Sequence, residues 1–138
     1  MQSSDLLLSA LGRHAGLPEP LAFDEQGCAC LVFDGAVTVT LETSQDTGPL
    51  HMYSVLGVLP DGNRETLLMQ LLNANLFGAE TAGATLAVDG QSDEIILCRQ
   101  VDAEETSDGV FVSMLEQFVA AAEDLTATLS KMDANDLV

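Results

Sequence analysis

Apolar residues in this 138-residue chain follow a helical spacing first, then a strand spacing, and then a helical one again. Near the amino terminus, leucines recur at three- and four-residue steps, as on one face of a helix. Between Leu21 and Gly57 the period becomes two, and Val37, Val39 and Leu41 alternate with polar residues, which is typical of a half-buried strand. A chain with both periods must pack its helices and its sheet around a shared core.

The predicted elements follow the order helix, three strands, helix, two strands, helix. No linker or internal repeat divides the sequence, so we expect one α+β domain over residues 1–138, with a twisted antiparallel sheet flanked by helices. The start of the last helix stays open, because Asp102, Thr106 and Ser107 could each cap it. The strands are predicted at Cys28–Phe33, Val37–Glu42, Leu50–Val58, Thr85–Asp89 and Glu94–Val101.

The chain contains 22 acidic and 4 basic residues, which gives a formal charge of -18. Nucleic acids and anionic membranes are bound through Lys and Arg, so neither is an expected partner. A hydrophobic content of 47% excludes a disordered acidic tail. No apolar run approaches the roughly 20 residues that span a bilayer. Three cysteines cannot all pair with one another, which fits a reducing compartment, and we expect a cytoplasmic protein.

The second predicted helix has more leucine than one contact can cover. Leucines at positions 67, 68, 71, 72 and 76 occupy about half of its surface or more. Its own sheet can cover one side of this helix, and the other side is a candidate subunit interface. The last helix has a narrower apolar seam, which predicts packing on the sheet: Phe111, Leu115, Phe118, Ala122, Leu125, Leu129 and Met132.

Residues that could support chemistry are few and badly placed. Cys28 and Cys30 do not have the spacing of a zinc site, and no Lys or Arg within ten residues would activate their thiols. His14 and His51 lie in different elements, and no nucleotide-binding or hydrolase motif is present. We therefore predict no metal, no cofactor and no catalysis. One alternative stays open, a small dimeric enzyme that uses Cys98 or a carboxylate pair.

The order of these elements resembles the class I type III secretion chaperones, the Tir chaperone family. The most specific stretch is the helix end at residues 71–77, followed by the strand pair at residues 83–89 and 95–97. The last helix departs from the family pattern, because Leu125 stands where a Trp is common. The other matching segments are Leu6–Gly12, Leu17–Pro18, Phe23–Glu25, Leu56–Pro60 and Phe118.

The resemblance implies a homodimer that binds the amino-terminal segment of one or more secreted effector proteins in an extended, secretion-competent form. It leaves contact with the export apparatus open. The residues expected to contact the effector are Leu7, Leu11, Leu17, Phe33, Val39 and Leu41. The residues expected at the dimer interface are Leu68, Leu72, Leu76 and Val88.

Two points remain open at this level. Some relatives of the family regulate secretion by sequestering an anti-activator, and the sequence does not separate that role from delivery of an effector. The acidity has two interpretations as well. It can keep a protein with exposed apolar grooves soluble, or it can attract basic segments of a client protein.

Overall fold

The computed structural model describes residues 3–17, 21–33, 37–43, 49–78 and 80–136. Within these residues the predicted order of elements and the α+β class are confirmed. Two strand ends differ by one residue from the predicted ones, since the second strand reaches Thr43 and the fourth ends at Val88. The elements are α1 Ser3–His14, β1 Cys28–Phe33, β2 Val37–Thr43, β3 Leu50–Val58, α2 Arg64–Ala74, a 3-10 turn Leu76–Gly78, β4 Thr85–Val88, β5 Glu94–Val101 and α3 Asp108–Asp136.

The five strands form one antiparallel sheet in the order β1-β2-β3-β5-β4. β3 is the central strand, and its register with β5 shifts at a bulge between Val55 and Gly57. β1 and β4 are the edge strands. The two edge strands therefore come from distant parts of the chain, and different segments surround each of them.

The strand register places alternate residues on two faces of the sheet. Leu41 on β2 lies opposite Met52 on β3, and both side chains are fully enclosed, as is Leu97 on β5. These residues share the inner face, whereas the intervening ones, such as Tyr53 and Cys98, lie on the outer face. The inner face thus holds the core, and no helix is needed on the outer face to enclose it.

Helix α3 covers the inner face along β2 and β3. The predicted apolar seam of this helix is buried over its first half, and Leu125 and Leu129 are half-buried. Helix α1 packs against α3, and α2 packs against β4. The seam residues enclosed here are Phe111, Leu115, Phe118 and Ala122.

The amino-terminal cap of α3 is Ser107. Its hydroxyl oxygen accepts a hydrogen bond from the Val110 N–H at 3.3 Å, and its carbonyl oxygen accepts one from Phe111 N–H at 2.9 Å. Asp108 then lies in the first turn, where the helix dipole favours a negative charge. Of the three caps open in the sequence, Ser107 therefore forms the helix start, and Asp102 and Thr106 belong to the preceding turn.

An ion pair holds the start of α2 against the β4–β5 side of the molecule. Nη2 of Arg64 lies 2.7 Å from Oδ2 of Asp93, and Nε of Arg64 donates to the Pro60 carbonyl at 2.9 Å. Both side chains are partly shielded from water. The pair links the first residue of α2 to the turn between β4 and β5.

Gly27 precedes β1 at a point where no other residue fits without strain. Its φ is +82°, and a Cβ built there would collide with the carbonyl oxygen of Thr43, which faces it on β2. We expect Gly27→Ala to lower the free energy of unfolding by roughly 1–3 kcal/mol, because of a left-handed backbone and a steric clash. Chemical denaturation monitored by circular dichroism measures this change.

Gly57→Ala is the matched control for that variant. Gly57 also belongs to the strand region, but a Cβ there would meet no atom within 4 Å. We expect its stability to stay within about 0.5 kcal/mol of the parent chain. Equal losses for both variants would contradict the steric argument.

Candidate functional site

The free side of β1 can be identified from its hydrogen bonds. The Thr43 N–H donates to the Gly27 carbonyl at 2.8 Å, so this cross-strand pair is a hydrogen-bonded one. Such pairs alternate along an antiparallel ladder, and residues 29, 31 and 33 therefore bond to β2. The backbone groups of Cys28, Cys30 and Val32 point away from the sheet.

A loop before β1 closes part of this edge. Oδ1 of Asp24 accepts hydrogen bonds from the N–H groups of Gln26 and Cys28, each at 2.9 Å, and the Asp24 N–H donates to the Cys28 carbonyl at 2.9 Å. Both backbone groups of Cys28 are thus satisfied. The N–H and C=O groups of Cys30 and Val32 remain, and within the described residues nothing else bonds to them. We call these four groups the open β1 edge.

The side chains around the open β1 edge are largely apolar. Val32 is 64% exposed on the outer face, and the neighbouring Cys30 is exposed there too. On the inner face Leu31 and Phe33 are half-buried and pack against the core. A strand added here would place alternate side chains against one apolar surface on each face.

A second apolar surface lies on α2 and the turn that follows it. Leu72 is 66% exposed, Leu76 58% and Phe77 96%, while Leu67 and Leu71 on the opposite side of the helix are buried. Exposed apolar patches of this kind mark interaction sites in soluble proteins. We call this region, with residues Leu68, Leu72, Leu76 and Phe77, the α2 apolar surface.

The four residues predicted for the dimer interface partly come together. Leu68, Leu72 and Leu76 share the α2 apolar surface, as expected for positions four residues apart on a helix. Val88 is half-buried on β4, against which α2 packs. Their role at an interface stays a prediction, because the structure contains one protomer.

The six residues predicted for effector contact have unequal access to solvent. Leu17 is 44% exposed and Phe33 is half-buried. The other four lie in the core of the protomer, where α3 and the sheet enclose them: Leu7, Leu11, Val39 and Leu41. Direct contact with a client through these four would require the core to open, and their role stays a prediction.

Two exposed residues were missed from the sequence. Val32 lies in a segment that is apolar at every position. The segment therefore has no alternation of apolar and polar residues that could indicate which side faces solvent. Phe77 directly follows the leucines of α2, but its exposure depends on a left-handed backbone, with φ at 58°, which turns it away from the core. An aromatic residue next to Gly78, at the end of a helix, was the available signal.

A groove of about 870 Å³ lies between α2 and the second half of α3. Met69, Leu71 and Leu125 contribute apolar surface to it, and Glu80 and Asp124 contribute negative charge. The groove is open to solvent, and it adds apolar area near α2.

Two of the three thiols have a raised pKa. The pKa of the Cys28 thiol is raised by loss of solvent and by the negative charges of Glu42 and Asp24, and burial raises the pKa of the Cys98 thiol. Cys98 donates to the Thr85 carbonyl at 3.5 Å. Among the described residues no three His, Cys, Asp or Glu side chains converge as metal ligands. The same residues contain no helix with the length and hydropathy of a bilayer span.

We expect Cys28 and Cys98 to be alkylated slowly at neutral pH. A raised pKa means that the reactive thiolate forms only at a higher pH than in an unfolded chain. The rate of modification by iodoacetamide, followed for each thiol by peptide mass spectrometry, should therefore rise at higher pH in the folded protein than in the same protein in urea. A folded thiol that reacts at lower pH than its unfolded counterpart would contradict this and favour the enzyme alternative.

A family model and a curated relative both identify the same family. The model of the Tir chaperone protein (CesT) family matches residues 6–126. The Tir chaperone of Escherichia coli O157:H7 is 24% identical over 126 residues, which cover 91% of this chain and 79% of that protein.

Two solved structures share the fold at similar sequence identity. The ExsC-ExsE complex contains a chain that superposes with a TM-score of 0.71 at 25% identity, covering 90% of this chain and 91% of that one. The Yersinia pestis type III secretion chaperone SycH, in complex with a stable fragment of YscM2, gives a TM-score of 0.68 at 25% identity, covering 88% and 98%.

Proposed function

We propose, from the premise that this chain belongs to the Tir chaperone protein (CesT) family, that it is a type III secretion chaperone for one or more effector proteins. It binds the amino-terminal segment of its client in an extended, secretion-competent form, in the cytoplasm before export. The similarity to the Tir chaperone and to SycH in its complex supports this activity. The observation that carries it is the open β1 edge, which offers unpaired backbone groups beside apolar side chains.

The open β1 edge suits a client held without tertiary structure. Main-chain hydrogen bonds to Cys30 and Val32 recognise any extended segment, and the apolar side chains on both faces select alternate apolar residues of the client. We place Leu17, Phe33 and Val32 in direct contact with the client. Leu7, Leu11, Val39 and Leu41 belong to the core, against which Leu31 and Phe33 of β1 pack.

The activity we propose is binding without catalysis. The thiol pKa values are raised, which opposes nucleophilic chemistry at Cys28 and Cys98. The family of the chain is a chaperone family. The client would therefore leave chemically unchanged.

We assign the α2 apolar surface to a second copy of this chain. A twofold contact brings the same residues together from both copies, so Leu72 and Leu76 would each face apolar partners. Val88 on the adjacent β4 extends this surface. The dimer would carry two open β1 edges, one from each protomer.

Val32→Pro tests the open β1 edge. Proline removes the N–H of Val32, which has no bonding partner among the residues that the structure describes. The fold should therefore persist while the bond to the client is lost. The tagged variant is isolated from the native bacterium, and we expect its yield of bound client to fall at least about tenfold below that of the parent chain. One hydrogen bond to the client strand is lost, and the proline ring clashes with that strand as well. Quantitative mass spectrometry of the isolated complexes measures this ratio.

Val32→Ala is the matched control, because it removes the side chain and keeps the N–H. It should lose less client than Val32→Pro, because it removes a side-chain contact and keeps the backbone hydrogen bond. Limited proteolysis of the parent complex should protect a client fragment of some tens of residues near the client's amino terminus. Isolation of the parent chain with no protein client would contradict the proposed function, and full client binding by Val32→Pro would contradict the assigned edge.

Leu72→Asp tests the dimer. Burying a carboxylate in an apolar contact is costly, so the mass in light scattering should fall from twice 14.5 kDa to 14.5 kDa. Val110→Asp is the control, because Val110 is 53% exposed on α3, away from α2. A Leu72→Asp protein that stays dimeric, or a Val110→Asp protein that becomes monomeric, would contradict the interface.

A further inference from the structure

The free side of β4, the second edge strand, differs from that of β1. The Asp89 N–H donates to the Glu94 carbonyl at 2.9 Å, so this pair is hydrogen-bonded. By the same alternation as in β1, Thr85 and Ala87 bond to β5. The backbone groups of Leu86 and Val88 therefore point away from the sheet, where a further strand could add.

Asn75 occupies that position at Leu86. Its Nδ2 donates to the Leu86 carbonyl at 3.0 Å, and its Oδ1 accepts from the Leu86 N–H at 2.7 Å. A side-chain amide has one donor and one acceptor at the spacing of a peptide group, so it satisfies a strand residue as a neighbouring strand would. Asn75 is half-buried at the end of α2, which holds it in place.

The groups next to Leu86 are partly closed as well. The Ala84 N–H donates to the Thr81 carbonyl at 3.0 Å, which turns the chain away just before β4 begins. Judged from the described part of the chain, Val88 is the one β4 residue whose outward backbone groups stay open, whereas β1 offers two successive outward residues, Cys30 and Val32. A ladder needs successive bonds, so an incoming strand gains little at β4.

We infer that Asn75 closes the β4 edge against strand addition and thereby restricts added strands to β1. The part of this inference that concerns the client rests on the proposed function, whereas the closure of the edge does not. An unprotected edge strand is a template for pairing with other chains, and natural proteins commonly block it with charges, prolines or a covering segment. Here a single amide from α2 blocks it.

The closure matters because β4 lies beside the α2 apolar surface. In the proposed pair, which forms through Leu72 and Leu76, each copy would keep its own β4 edge beside the contact. With Leu86 unpaired, the β4 edge of one pair could add to the β4 edge of another pair, and association would continue beyond two copies. With Asn75 in place, the copies must pack through side chains, and association stops at a closed pair.

Hydrogen exchange of the parent chain gives the first test, and it needs no variant. In the client-free protein the Leu86 amide should exchange at least about tenfold more slowly than the Cys30 and Val32 amides, because only Leu86 has a partner outside its ladder. Nuclear magnetic resonance resolves these amides. A Leu86 amide that exchanges as fast as the other two overturns the inference.

Asn75→Ala gives the second test, because it frees both groups of Leu86. The variant should form species larger than the parent assembly in sedimentation velocity, in amounts that grow with protein concentration, and its Leu86 amide should exchange faster at low concentration. Adding Ala87→Lys, which places a charge on the same strand, should reverse the association. An Asn75→Ala protein that is folded and keeps the parent assembly at all concentrations overturns the inference.

Two controls separate closure of the edge from a general loss of stability. Asn73→Ala makes the same change two residues earlier, at an exposed position of α2, and should leave the assembly unchanged. Asn75→Asp keeps an acceptor for the Leu86 N–H and adds a charge at the edge, so it should not associate. None of these readouts uses a client, and a failure here leaves the Val32→Pro result, and with it the proposed function, to be judged separately.

Discussion

The packing of α3 on the inner face of the sheet decides what the rest of the molecule is free to do. Phe111, Leu115 and Phe118 pack on the inner face of β2 and β3, and this face is therefore not available as a binding groove. The surfaces left over are the outer face of the sheet, the strand edges and the outer side of α2. The binding that we propose therefore uses backbone groups at a strand edge and the exposed leucines of α2.

The two edges of the sheet are unequal for local reasons. At β1 the loop that contains Asp24 bonds to the N–H and C=O groups of Cys28 and extends no further along the strand. The outward backbone groups of Cys30 and Val32 therefore stay open. At β4 an amide from α2 bonds to the outward residue at the centre of the strand. The strand order places β1 and β4 at opposite ends of the sheet. From these two small differences we infer that a strand adds at β1 and not at β4.

The fold could be predicted from the sequence because each element has its own period. The alternation of Val37, Val39 and Leu41 correctly identified a one-sided strand, and the seam of α3 correctly indicated packing on a sheet. The choice between caps required the hydrogen bonds of Ser107, which depend on the local path of the chain.

The candidate site was less predictable, because a period identifies the apolar face of a strand without identifying what covers it. Val39 and Leu41 looked like client contacts for this reason, and α3 covers them. The bonds between Asn75 and Leu86 join residues eleven positions apart in different elements, so no spacing in the sequence signals them.

The turn after α2 has a thermodynamic consequence for any partner that meets Phe77. Its backbone has little freedom, since Asn75 anchors the chain two residues before it and Gly78 packs closely against Gly83 just after it. Ordering a flexible loop during association costs entropy, which subtracts from affinity. Phe77 has already lost that backbone freedom when the protomer folds, so its ring can add apolar contact area at the cost of little more than its own side-chain rotation.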